Sequence, residues 1–97
     1  MTTQTKFPSL ELLKSTHQFP GPYTFKVIGE HLNSFPERVI EAALRASGEN
    51  IQPRHTVRET DSGKHIAVTL EVRAENAETV LKIYEELVKL KGAILVL

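Results

Sequence analysis

The chain has 97 residues, 40% of them hydrophobic and 25% charged, proportions of a single ordinary globular domain that buries about 60–68% of its unfolded surface. Its 12 lysines and arginines balance 12 aspartates and glutamates, and this zero formal charge argues against a general polyanion binder. Cysteine is absent, which excludes thiol catalysis, thiolate zinc sites and disulfide stapling, and no apolar run approaches the ~20 residues of a membrane span.

Met1 to Lys6 is polar, lacks the hydrophobic run of a signal peptide and reads as a frayed start, so a cytoplasmic location is the default. Residues 1–16 are expected to form a partly disordered arm, and 17–97 a single domain. Within the arm, Ser9 caps a short helix carrying Leu10, Leu12 and Leu13. The run His17-Gln18-Phe19-Pro20-Gly21-Pro22 is expected to be irregular, because two prolines and a glycine break both helix and ladder. Tyr23 to Gly29 then alternates as a first strand, with Tyr23, Phe25 and Val27 inward and Thr24, Lys26 and Ile28 outward.

Gly29 to Ser34 makes a short connection. Ser34-Phe35-Pro36-Glu37 has Ser at the cap, Pro in the first turn and Glu at the third helical position, the pattern of a capping box. The helix it starts runs to about Ser47 and stops at Gly48. Phe35, Val39 and Ala43, joined by Ile40 and Leu44, make its apolar face.

The strongest signal lies between His55 and Ala74. Ile66, Val68, Leu70 and Val72 alternate strictly with Ala67, Thr69 and Glu71, and the run Arg54 to Thr60 precedes them across Asp61-Ser62-Gly63-Lys64. A turn there sets Asp61 opposite Lys64, Val57 opposite Val68 and His55 opposite Leu70 on a buried face. On the other face Thr56 meets Thr69 and Arg54 meets Glu71, pairs that favour this register by about 0.2–1 kcal/mol each. Asn76 caps a second helix ending near Gly92, with Val80, Ile83, Tyr84, Leu87 and Leu90 as its core stripe and Leu81 and Val88 beside it. Ala93 to Leu97 is wholly apolar and reads as a buried strand. The order β-α-β-β-α-β predicts an α+β, ferredoxin-like domain. Its four-stranded antiparallel sheet has the order 4-1-3-2, with both helices on one face.

Phe19-Pro20, Phe25-Lys26-Val27-Ile28-Gly29, Ser62-Gly63-Lys64, Val68-Thr69, Tyr84-Glu85-Glu86-Leu87 and Val96-Leu97 occur in an order and spacing that resemble the YbeD-like family of small bacterial proteins of unknown function. The likeness spans roughly residues 17 to 97. His65 departs from the aromatic residue such a member carries beside the hairpin turn. The resemblance implies a fold similar to the ACT regulatory domains, a regulatory or ligand-sensing role at most, and no established catalytic residues. ACT-like domains tend to place small ligands at the turn after the first strand, which here is Gly29 to Ser34 with Lys26 nearby. Backbone N–H groups at a helix start attract anions, so Gly29 and Lys26 are the candidate ligand contacts, although Gly29 also has the simpler reading of relieving strain at a strand end.

Catalytic chemistries find little support. Metal binding needs converging ligands, yet the hairpin register sends His55 and His65 to opposite faces, and no HxH or HExxH occurs. Ser62 and Thr69 have no histidine placed to activate them. Asp61 is the sole aspartate, and no glycine-rich phosphate loop is present. The protein is therefore expected to be a non-enzyme without cofactor or metal.

The outer sheet face is expected to carry Thr24, Lys26 and Ile28, Arg54, Thr56, Arg58 and Thr60, and Ala67, Thr69, Glu71 and Arg73. Lys26, Arg54, Arg58 and Arg73 form a basic patch without the stacked aromatics through which a similar sheet binds RNA. A nucleic-acid-binding module is thus the alternative, and a non-enzymatic regulatory or interaction module the favoured reading. The partner would be a small anionic metabolite or another protein, with no membrane contact. A homodimer through the sheet face or the edge strand Arg54 to Thr60 is open on the same residues.

Overall fold

The structure, a computed structural model, describes residues 4–5, 7–48, 53–60 and 62–97. In chain order these form β1 (Gln4–Thr5), α1 (Leu10–Thr16), β2 (Gly21–Glu30), α2 (Phe35–Ser47), β3 (Arg54–Glu59), β4 (His65–Ala74), α3 (Ala77–Val88) and β5 (Ala93–Val96). The architecture is α+β. Its sheet has the order β1-β5-β2-β4-β3 and five strands rather than four. Gln4 and Thr5, expected in a frayed arm, instead pair in parallel with Leu95 and Val96 of β5. The remaining pairs are antiparallel.

β2 and β4 pair along their full lengths, from Gly21 opposite Ala74 to Glu30 opposite His65. Tyr23, Phe25 and Val27 of β2 and Ile66, Val68, Leu70 and Val72 of β4 are buried, as the alternation predicts. The hairpin has the predicted register, with Val57 opposite Val68 and Thr56 opposite Thr69. Asp61, expected opposite Lys64, lies outside the described residues.

β2 starts two residues earlier than its neighbours in sequence suggest, taking in Gly21 and Pro22. The hydrogen-bonding side explains the tolerance. Lys26 and Glu30 donate their N–H groups toward β5, to the carbonyls of Leu97 and Gly92. Pro22 shares their parity, so its nitrogen faces away from β4, with which it pairs opposite Arg73, and no bond of that ladder is lost. Gly21 is also required sterically, because a Cβ there would lie 2.6 Å from the Gln18 carbonyl oxygen. The Phe19-Pro20 peptide is cis.

Each helix starts in its own way. Ser9 caps α1 by accepting the Leu12 N–H at 3.1 Å, burying Leu13 while Leu12 stays 51% exposed. Asn76 caps α3, its Oδ1 accepting from both the N–H and the hydroxyl of Thr79 at 2.9 Å. The capping box expected at α2 does not form. Asn33 and Ser34 both sit in the left-handed region at φ 55°, and Ser34 makes no side-chain cap bond. A cap side chain reaches the first-turn N–H groups from an extended backbone, and Ser34 does not have one. Arg38 organises this corner instead. Its Nε donates to the Asn33 carbonyl and its Nη1 to the Lys91 carbonyl, both at 2.8 Å, while Nη2 donates to Leu32 at 3.3 Å. The guanidinium also lies 5.4 Å from the centre of the Phe35 ring.

α2 and α3 pack on the inward side of β2, β4 and β5, with α1 against α3. Phe35 and Val39 of α2, Val80, Ile83 and Leu87 of α3 and Leu13 of α1 close over Phe25, Val27, Val68 and Leu70. Beside them the hydroxyls of Tyr23 and Tyr84 share a buried hydrogen bond of 3.0 Å. Burial, reinforced by that bond, pushes the Tyr84 hydroxyl well above its ordinary pKa near 10 and keeps it neutral. Two strands depart from the expected burial. β5 buries Ala93 and Val96 but leaves Ile94 and Leu95 half-buried. β3 is exposed along its whole length, so Val57 and His55 face the helix side without being covered. Leu70→Ala removes a fully buried side chain at the centre of the sheet and is expected to lower stability by about 2–5 kcal/mol in urea unfolding.

Candidate functional site

The face of the sheet away from the helices is read most simply in rows across the strands. Arg54 of β3 lies opposite Glu71 of β4, which lies opposite Thr24 of β2. In the next row Thr56, Thr69 and Lys26 follow one another, and the Lys26 backbone bonds that of Leu97. Beyond it come Arg58, Ala67, Ile28 and Leu95. Arg73 lies opposite Pro22 at the far end. Side chains directly opposite in a sheet share a face, so Lys26, Arg54, Arg58 and Arg73 emerge together with Glu71 among them and Glu30, opposite His65, at the end of the face.

All four basic side chains are exposed. Among the described residues, none of them belongs to an ion pair: those present are Lys14–Glu78, His31–Glu59 and Lys89–Glu86. Arg54 and Glu71 hold the predicted register without closing a salt bridge, consistent with the small value of exposed pairs. Three shallow depressions of about 270–280 Å³ lie along this surface, and each has an arginine in its wall. One is lined by Arg54, His55, Thr56, Thr69 and Glu71. The second runs between Arg54 and Arg73, and the third adjoins Arg58 and Ala67.

The face is divided in character. Its β3–β4 half is basic and hydroxyl-bearing. Its β2–β5 half carries Ile28, Leu95 and the 43% exposed Leu97. That apolar half is not apparent from the sequence, where Ala93 to Leu97 reads as a buried strand. Cross-strand pairing with Ile28 and Lys26 is what turns Leu95 and Leu97 outward. The aromatic residues are elsewhere. Tyr23, Phe25, Phe35 and Tyr84 are buried, Phe19 packs against the core, and Phe7 stacks on Tyr84 with ring centres 5.1 Å apart.

Gly29 and Lys26 do not meet. Their parity on β2 sends Lys26 to the open face and leaves Gly29 on the helix side, where it is buried. A Cβ at Gly29 would fall 2.3 Å from the tip of the Phe35 ring. The glycine therefore serves as the floor on which the first aromatic residue of α2 rests. His55 and His65 fall on opposite faces, His65 alternating with buried Ile66. Among the described residues no group of three or more metal-ligating side chains gathers. One histidine the sequence does not single out makes a link between elements: His31 Nδ1 lies 3.2 Å from the Gly63 carbonyl and Nε2 3.5 Å from Glu59. A carbonyl only accepts, so Nδ1 carries the proton in that contact.

The chain belongs to the family described as a protein of unknown function, DUF493, whose model matches residues 14–97. Among its relatives are the UPF0250 protein YbeD of Escherichia coli O1:K1 and that of Shigella boydii serotype 18. Each is 33% identical over 73 residues, which cover 75% of this chain and 82% of the relative. Among the described residues, no helix is long and apolar enough to cross a membrane.

The contact beneath Gly29 gives a direct test. Gly29→Ala drives a methyl group into the Phe35 ring and is expected to lower stability by about 1–3 kcal/mol. Phe35→Leu in the same chain should recover part of that loss in urea unfolding; no loss in the single variant would remove the packing role.

Proposed function

We propose that the protein is a non-enzymatic interaction module of the cytoplasm whose open sheet face docks the acidic surface of a partner protein. The observation that carries this reading is the set of four exposed basic side chains, Lys26, Arg54, Arg58 and Arg73, gathered on one face with no ion-pair partner among the described residues. Unpaired cations on one flat surface raise the local potential and steer an acidic partner toward it. The small or hydroxyl-bearing residues between them, Thr56, Ala67 and Thr69, permit close approach of another backbone.

The order β2-α2-β3-β4-α3-β5, with α2 and α3 on one side, supports a ferredoxin-like plan of the ACT kind, and so a regulatory role exerted through binding. A protein surface fits better than a small anionic metabolite. The depressions on the face are shallow and spread out, and the expected metabolite position at Gly29 is filled by the Phe35 ring. A nucleic-acid partner would use the same arginines as phosphate contacts but would find no aromatic platform for its bases.

The test is the triple variant Arg54→Glu, Arg58→Glu, Arg73→Glu, whose side chains are exposed and make no ion pair among the described residues, so the fold is expected to persist. Capture from nuclease-treated bacterial lysate should yield an acidic protein that wild type retains and the variant loses. Retention by both proteins would set the basic face aside. If wild type instead binds single-stranded RNA at low salt, with an affinity that falls steeply as salt rises, the nucleic-acid alternative takes its place.

A further inference from the structure

We infer that two copies of this chain join along β3 into one continuous antiparallel sheet, in the register that sets Val57 opposite Val57 of the partner subunit. Thr60, just past the end of β3, donates its N–H to the His65 carbonyl of β4 at 3.0 Å. Backbone direction alternates along a strand, so Arg54, Thr56 and Arg58 turn their N–H and C=O groups toward β4. His55, Val57 and Glu59 turn theirs to the outer edge, and among the described residues β3 pairs only with β4. An edge of this kind is a template for another strand.

Joining two sheets edge to edge by a two-fold axis perpendicular to them keeps each face on its own side. Residues placed opposite each other must then share a face, which leaves a small set of registers. With Thr56 on the axis, Arg54 stands opposite Arg58 of the partner subunit, and Pro53 enters an outward-bonding position without an N–H to give. With Arg58 on the axis it faces its own copy. With His55 on the axis, Pro53 stands opposite Val57 of the partner subunit and again leaves a ladder bond unmade. Each of these registers sets like charges together or loses a donor.

With Val57 on the axis both problems disappear. Val57, 43% exposed in a single copy, covers its own copy. His55 stands opposite Glu59 of the partner subunit, and by symmetry Glu59 opposite the partner's His55. These are the residues whose backbone groups point outward, so each pair exchanges both its N–H···O bonds. On the other face Arg54 meets a threonine, Thr60 of the partner subunit, and Thr56 meets Arg58 of the partner subunit. Arg54 and Arg58 thus act as selectors, repelling the registers that align them and accepting the one that does not.

Two further features of the fold suit this partner. β3 is exposed on both faces because α2 and α3 pack chiefly over β2, β4 and β5. A second β3 can therefore approach without meeting helices. Glu59 already has its Oε1 3.5 Å from His31 Nε2, which leaves its other oxygen for the incoming histidine.

Sedimentation equilibrium of the wild-type chain should give twice its 10.9 kDa mass at high concentration; a monomer throughout the range overturns the inference. The register is read by cross-linking, which the absence of native cysteine makes clean. A pair of Val57→Cys copies at the axis would hold its Cα atoms about 5.5 Å apart, within disulfide range. Val57→Cys should thus form a disulfide dimer on oxidation, while Thr56→Cys should not. Equal cross-linking of the two, or the reverse order, overturns the register. Glu59→Lys should dissociate the dimer at least tenfold more readily, and adding His55→Glu should restore it by setting a carboxylate opposite the new ammonium group. Because both variants lack the His31 contact, restoration belongs to the interface. Failure of that rescue counts against the pairing, and none of these substitutions touches the basic side chains tested above.

Discussion

The full-length pairing of β2 with β4 sets where every other element can lie. Each strand contributes ten residues, matched from Gly21–Ala74 to Glu30–His65. That length sets the side of the sheet on which each central side chain emerges, since a slip by one residue would exchange the two faces. The inward set, Tyr23, Phe25 and Val27 with Val68, Leu70 and Val72, is apolar and buried. The outward set contains the basic and hydroxyl groups. Core and candidate interface are thus two sides of one register.

The helices close the inward side by fitting particular features of that pair. Phe35 can bring the tip of its ring against β2 because position 29 is glycine, and Arg38 then ties the start of α2 to the turn before β5 through three carbonyl groups. Packing and a guanidinium take over the role that a capping serine has in many helices. At the other end of the core, Tyr84 brings its hydroxyl to Tyr23 and its ring against Phe7 and Phe25. A polar contact is buried there only because each hydroxyl satisfies the other.

What remains exposed is unevenly distributed. The basic groups cluster on β3, β4 and one position of β2, while Leu95, Leu97 and Ile28 mark the opposite half of the same face. The β3 edge adds backbone donors and acceptors that have no strand partner among the described residues, beside an exposed valine. Open face and open edge are different surfaces with different chemistry. One offers charge to an acidic partner, and the other offers a strand to its own copy.

Signals that are local or lie within a hairpin were legible in the residues alone: the caps at Ser9 and Asn76, the stop at Gly48, the strand alternations, and the β3–β4 register. The same register separates His55 from His65. Tertiary structure decided the features that depend on a neighbour distant in the chain. Pro22 is admitted to a strand because its nitrogen faces away from β4, and Ser34 loses its capping role because the loop before α2 turns left-handed. Gln4 and Thr5 become a strand only because β5 presents a free side. Val57 alternates like a core residue yet lies uncovered, since burial depends on where the helices come to rest. The basic patch was legible from alternation alone. Its apolar border at Leu95 and Leu97 was not, because a short, wholly apolar strand has no period to say which of its faces meets the core.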